Sequence, residues 1–185
     1  MIDETLQETN TKMGKAIEAL AHELATVRTG RASAAIVDHI RVDYHGVPTP
    51  LKQMATISVP EARLLLIQPW DRGALSSIDK AIQKADLGLN PASDGNVIRI
   101  AIPQLSEERR KELVKLVQKR AEDGRVAVRN IRRNALEELR EMERSKDISQ
   151  DELKRAQEQL QQLTDKFIAE VDKTAKAKEA ELLEV

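Results

Sequence analysis

The chain has 185 residues, a formal net charge of −1, 41% hydrophobic and 33% charged residues, and only Tyr44, Trp70 and Phe167 as aromatics. It contains no cysteine, which excludes a disulfide framework, thiol chemistry and cysteine metal sites. No apolar run approaches a membrane span, and MIDETLQETNTK is no basic-then-apolar leader, so a soluble cytoplasmic protein packed through aliphatic helices is expected.

Leu6, Met13, Ile17, Leu20, Leu24 and Val27 recur at helical steps. They predict a one-faced helix from Ile2 to about Thr29, ended by Gly30 in the left-handed conformation. The period then becomes two. Ile40, Val42 and Tyr44 alternate with polar residues as in a half-buried strand, and Gly46, Pro48 and Pro50 mark a turn region. Further strands are predicted at Ala55–Val59, stopped by Pro60, and at Leu64–Ile67. A helix follows over Ala74–Asp86. Leu87–Pro91 and Ser93–Gly95 are predicted turns, and Val97–Ile102 is a last strand closed by Pro103.

Helicity returns at Ser106, a good N-cap. From there to Met142 an apolar stripe runs through Leu113, Val117, Ala121, Val128, Ile131, Ala135, Leu139 and Met142, in phase across Gly124, which costs about 1 kcal/mol relative to alanine. Ser145–Ile148 break the pattern, and Ser149-Gln150-Asp151-Glu152 reads as a capping box. It opens a third helix striped by Leu153, Ala156, Leu160, Leu163, Phe167, Val171 and Leu182, expected to fray over Lys173–Val185. Three one-faced helices satisfy each other most simply as a three-helix bundle. The expected fold is therefore α+β: a bundle from 1–29 and 106–185, with a small β/α/β sandwich-like α+β domain of residues 31–104 inserted. Two crossings, near Gly30-Arg31 and Gln104-Leu105, form a hinge.

The modest net charge hides a segregation. Between Arg109 and Arg133 ten Lys or Arg face three acids, and Arg125, Arg129, Arg132 and Arg133 follow one edge beside the stripe. Few acids lie among them to form the usual i,i+4 pairs. Such an edge is either an ordinary solvated face or a grip for phosphate oxygens, which guanidinium forks hold bidentately. Arg28 and Arg31 lie beside the first crossing, where Arg28 would either compensate the helix dipole or add a contact. His22, His39 and His45 have no metal-ligand spacing, and no nucleophile motif, P-loop or dinucleotide fingerprint is present. A binding protein is expected rather than an enzyme. A helical adaptor for acidic partners is the alternative, and a small hydrolase lacks a nucleophile–base pair.

RTGRAS (Arg28–Ser33), IRIAIPQLSEERRKELVKL (Ile98–Leu116) and VAVRNIRRNA (Val126–Ala135) closely resemble the bacterial ribosome recycling factor family, over essentially the whole chain. The resemblance implies an L-shaped bundle-and-lobe protein with a tRNA-like outline, without a cofactor or metal, and monomeric. It implies binding between the ribosomal subunits after termination, with the bundle along large-subunit rRNA. Elongation factor G and its GTP hydrolysis then split the subunits and release mRNA and tRNA. The positions matching the family's rRNA-contacting residues are Arg28, Arg31, Arg110, Arg129, Arg132 and Arg133. Ala34, Gly124 and Asn134 depart from the family's usual pattern, and none removes a basic contact.

Overall fold

The computed structural model describes residues 1–184; Val185, the end of the segment expected to fray, lies outside the described residues. The chain divides into two compact units, Met1–Val27 with Glu108–Val185, and Arg28–Glu107.

The first unit holds three long helices: α1 (Ile2–Ala25), α3 (Glu107–Arg144) and α4 (Gln150–Leu183). α3 has 38 uninterrupted residues, about 57 Å at 1.5 Å per residue. The buried seam of α3 is Leu113, Val117, Ala121, Val128, Ala135 and Leu139, as its periodicity requires. Ile2 and Leu6 of α1 pack with Leu139, Met142 and Leu160. One layer along, Met13 and Ile17 meet Val128 and Phe167. α1 therefore runs antiparallel to α3 and parallel to α4.

Three buried positions escape an apolar reading. Thr5, Thr9 and Thr164 are each at most 6% exposed. Each hydroxyl donates to the carbonyl four residues earlier, on Met1, Thr5 and Leu160, which satisfies its polar atom and leaves a methyl to pack. α1 stops at Ala25, with Thr26 as its C-cap, short of Gly30; that glycine does take a positive φ of 79°, in the loop beyond. At the far end α4 stays helical to Leu183, because Ala175 and Leu182 are buried, which corrects the expected fraying. Between α3 and α4, Lys146 adopts φ 63° and its N–H bonds Glu143 O at 2.9 Å, a left-handed helix end without glycine. Ser149 and Glu152 form the capping box reciprocally, each bond 3.1 Å. The Ser149 N–H holds the Glu152 carboxyl below its ordinary value.

The second unit holds a hairpin of β1 (Arg41–Tyr44) and β2 (Val47–Pro50), turned by His45 and Gly46 at φ 53° and 82°, the two left-handed positions of a type I′ turn. Beside it lies a four-stranded antiparallel sheet. Its strands are β3 (Ala55–Glu61), β4 (Leu64–Pro69), β5 (Pro91–Ser93) and β6 (Ile98–Ala101), in the order β3-β4-β6-β5. The helix α2 (Leu75–Lys84) buries Ile78 and Ile82 in a core shared with Val42, Leu65, Ile67 and Ile100. The expected turn region at Gly46–Pro50 contains the strand β2, β5 takes Pro91 and Ser93 from the ends of the two turns expected at Leu87–Pro91 and Ser93–Gly95, and β3 continues through Pro60 with a register shift between Ser58 and Glu61. These segments are edges or hairpin arms, where a proline without an N–H is tolerated.

Both chain segments that enter and leave this unit are tied to its β3–β4 turn. Ala32 N donates to Ala62 O and Ile102 N to Arg63 O, both at 2.8 Å. Arg63 Nη1 donates to Gln104 Oε1 at 3.0 Å. A Cβ on Gly30 would lie 3.3 Å from Leu105 Cγ, so the two segments also touch each other. Gly30, Arg31, Gln104 and Leu105 all fall inside the second unit.

Candidate nucleic-acid interface

An α-helix turns about 100° per residue, and that arithmetic sorts the arginines of α3. Arg110 stands 18 residues, or five whole turns, from Val128, so it occupies the seam itself near the start of the helix. Arg132 lies about 40° round from Arg110 and about 33 Å along the axis. Both are half-buried. In each, Nε is buried without a hydrogen-bond partner. Each side chain is therefore partly packed against the bundle, as the apolar stem of a long cation can be.

The next 100° or so carries exposed cations. Lys111 lies directly in line with Arg129, and Lys115 with Arg133, each pair 18 residues apart; all four are exposed. Lys111 and Lys115 were legible through that 18-residue spacing, although the run of arginines draws the eye first. Together they extend the cationic line over about 33 Å from Lys111 to Arg133.

The few acids near the edge are engaged with it. Arg125 Nε donates to Glu122 at 2.9 Å, and its Nη1 to Asp172 of α4 at 2.7 Å. Arg129 Nη1 reaches the other Glu122 oxygen at 3.4 Å. The partners escape an i,i+4 search because Glu122 lies three and seven residues back and Asp172 comes from another helix. The Arg125 guanidinium, then Arg129, holds the Glu122 carboxyl below the ordinary carboxylate range. Arg125 is raised in return, mainly by its bond to Glu122. Arg125 thus staples α3 to α4. On the opposite flank Arg120 stands 3.9 Å from Glu23 of α1. Arg132 and Arg133 have no such pair among the described residues; Arg133 is exposed and Arg132 half-buried.

Arg28 and Arg31 belong to the other unit. Arg28 Nη1 donates to Leu87 O at 2.6 Å, a role inside the protein that the sequence-based reading did not give it. That bond holds the entering chain against the Leu87-Gly88 turn. Arg31 is exposed and already engaged. The four arginines of α3 form one surface; Arg28 and Arg31 are placed by separate backbone.

Among the described residues no group of His, Asp and Glu is arranged to hold a metal ion. No helix is long and apolar enough to cross a membrane. The chain thus combines a helical bundle carrying one cationic helix with an inserted α+β unit, and its relatives show which family has that architecture. Residues 20–183 match the family model for ribosome recycling factor. The ribosome-recycling factors of Dehalococcoides mccartyi strain CBDB1 and Bacillus pumilus strain SAFR-032 are each 55% identical to this chain, over its full length and theirs. A solution structure of a ribosome recycling factor superposes with a TM-score of 0.82 at 48% identity, covering all of this chain and 98% of that one. The Thermus factor in a set of models for T. thermophilus ribosome recycling factor and E. coli elongation factor G on the E. coli post-termination complex gives 0.69, also at 48%, with both chains fully covered. The chain belongs to the ribosome recycling factor family.

Proposed function

We propose that this chain recycles ribosomes in the cytoplasm: as a monomer it binds the post-termination ribosome and, with elongation factor G hydrolysing GTP, separates the subunits and frees mRNA and tRNA. The observation that carries the reading is the flank of α3, where Arg110 and Arg132 leave buried Nε groups unpartnered beside the exposed Arg129 and Arg133. A buried donor without an acceptor is unfavourable by roughly 1–3 kcal/mol. Beside those buried atoms the guanidinium charges of Arg132 and Arg133 have no ion-pair partner among the described residues, and large-subunit rRNA phosphates supply one. Arg28 and Arg31 would add contacts from the α+β unit. The chain itself performs no catalysis in this scheme.

Salt dependence tests it. The full chain should co-sediment with large subunits at low salt and dissociate steeply as salt rises, because phosphate contacts release counterions. Its own GTP hydrolysis should stay at background. Salt-indifferent binding, or none, removes the reading.

We further propose that the bundle, residues 1–29 and 106–185, and the inserted domain, 31–104, move as rigid bodies about the two crossings at 30–31 and 104–105. The backbone bonds of Ala32 and Ile102 to the β3–β4 turn would make the inserted side of that hinge stiff. With one label per domain, interdomain distances should spread in solution and narrow on the ribosome; a single narrow distribution in the free protein contradicts the hinge.

A further inference from the structure

Between β1 and α2 the inserted unit carries a cleft of about 570 Å³, which the α3 surface does not account for. Arg41 on the strand and Lys80 and Lys84 on the helix converge on it, with Asp43 and Ser77 on its walls and Ala81 among the apolar lining. Arg41, Lys80 and Lys84 are exposed, and none has an ion-pair or hydrogen-bond partner among the described residues. Lys84 complements the C-terminal end of α2, but that accounts for neither Lys80 nor Arg41 across the cleft. Like charges at i and i+4 oppose a helix by about 0.2–0.5 kcal/mol, and a third cation facing them adds to the repulsion. An anion seated between them relieves it.

We infer that this cleft is a second RNA-binding site, taking the sugar–phosphate backbone of an RNA strand independently of base sequence; it rests on the ribosomal reading above. Lys80 and Lys84 are one turn apart, about 6 Å along the axis, so they meet successive phosphates of one strand. Arg41 closes on the same oxygens from the opposite wall, its planar fork suited to phosphate. The lining holds no Phe, Tyr or Trp, and its one ring is the imidazole of His39, so recognition rests on the sugar–phosphate backbone rather than on a run of stacked bases. Asp43 selects between polyanions. A carboxylate among the cations repels an acidic peptide segment, whereas the ribose 2′-hydroxyl is a donor that it accepts.

The chain has no cysteine, so Ser77→Cys creates a unique thiol on the cleft wall. The full-length variant, carrying a benzophenone maleimide, is bound to post-termination ribosomes and irradiated. The expected product is a crosslink to ribosomal RNA, tRNA or mRNA. Arg41→Gln/Lys80→Gln/Lys84→Gln, with an unchanged circular dichroism melt, should abolish it and lower the log-affinity against log-salt slope by about two. A crosslink confined to ribosomal protein, or no crosslink from a co-sedimenting labelled chain, overturns the inference and leaves ribosome binding intact. Failure of the unaltered chain to co-sediment overturns both.

Discussion

Replacing Arg132 with methionine should leave the thermal midpoint unchanged or slightly raised, while affinity for the large ribosomal subunit falls roughly ten- to hundredfold. Methionine keeps an unbranched apolar stem against the flank of the seam, so the packing supplied by the arginine methylenes survives. It also removes the buried Nε that has no partner, relieving a desolvation cost. What disappears is the guanidinium fork. A hydrogen bond to a charged group contributes about 1.5–3 kcal/mol, which is the affinity loss expected if Arg132 holds a phosphate. The salt slope should fall by about one. Arg132→Lys separates charge from geometry: it should restore the slope but only part of the affinity, because an ammonium cannot grip two oxygens in one plane. A large drop in melting temperature with normal subunit binding would show that the residue serves the bundle alone.

Arg125 is the internal contrast. It looks equivalent in a linear reading, as the first of the arginine run, but both ends of its fork are occupied within the protein. Its removal should affect the α3–α4 contact before any partner. Glu122, three positions back, and Asp172, 47 positions away, distinguish the two residues.

The same distinction governs what the sequence disclosed. The helices and the strands read at Ile40–Tyr44, Ala55–Val59, Leu64–Ile67 and Val97–Ile102 were legible because burial leaves a periodic pattern or an apolar run. Ser149 and Glu152 were legible because a capping box is local. Thr5, Thr9 and Thr164 were not: their burial depends on a hydroxyl returning to the helix's own backbone, which leaves no apolar signature. β2 and β5 were hidden because proline at a sheet edge costs no ladder bond, so the same letters serve a turn or an edge strand. The tie between Arg28 and Leu87 spans 59 positions, and no periodicity encodes it. The arginine surface lies between these cases. Its cations could be read off the helical wheel, but which of them are neutralised within the bundle depends on Glu122 and Asp172.

Gly124 is expected to reverse the ordinary ranking of helix residues. In an exposed helix interior, replacing glycine by alanine gains about 1 kcal/mol and leucine nearly as much. Here a Cβ would stand 3.3 Å from Leu20 Cδ2 of α1 and 3.7 Å from both Val171 methyls of α4. Leu20 is 4% exposed and Val171 fully buried, so neither has open space to move into. α3 therefore has a glycine where α1 and α4 both press on it, which explains the one helix-weakening residue in a 38-residue helix. For Gly124→Ala the propensity gain and the tight Leu20 contact oppose each other; since Leu20 Cδ2 is the tip of a flexible side chain, the net should stay within about 1 kcal/mol of the unaltered chain. For Gly124→Leu there is no such balance. Overpacking should destabilise the bundle by about 2–3 kcal/mol, a fall of roughly 10 °C in thermal midpoint. It should also push α3, which presents Arg110, Arg129 and Arg132, away from α1 and α4, weakening large-subunit binding even below the melting temperature. Circular dichroism melts of the two variants decide the matter by sign: a leucine variant as stable as the alanine one would mean that the three helices do not close on this residue.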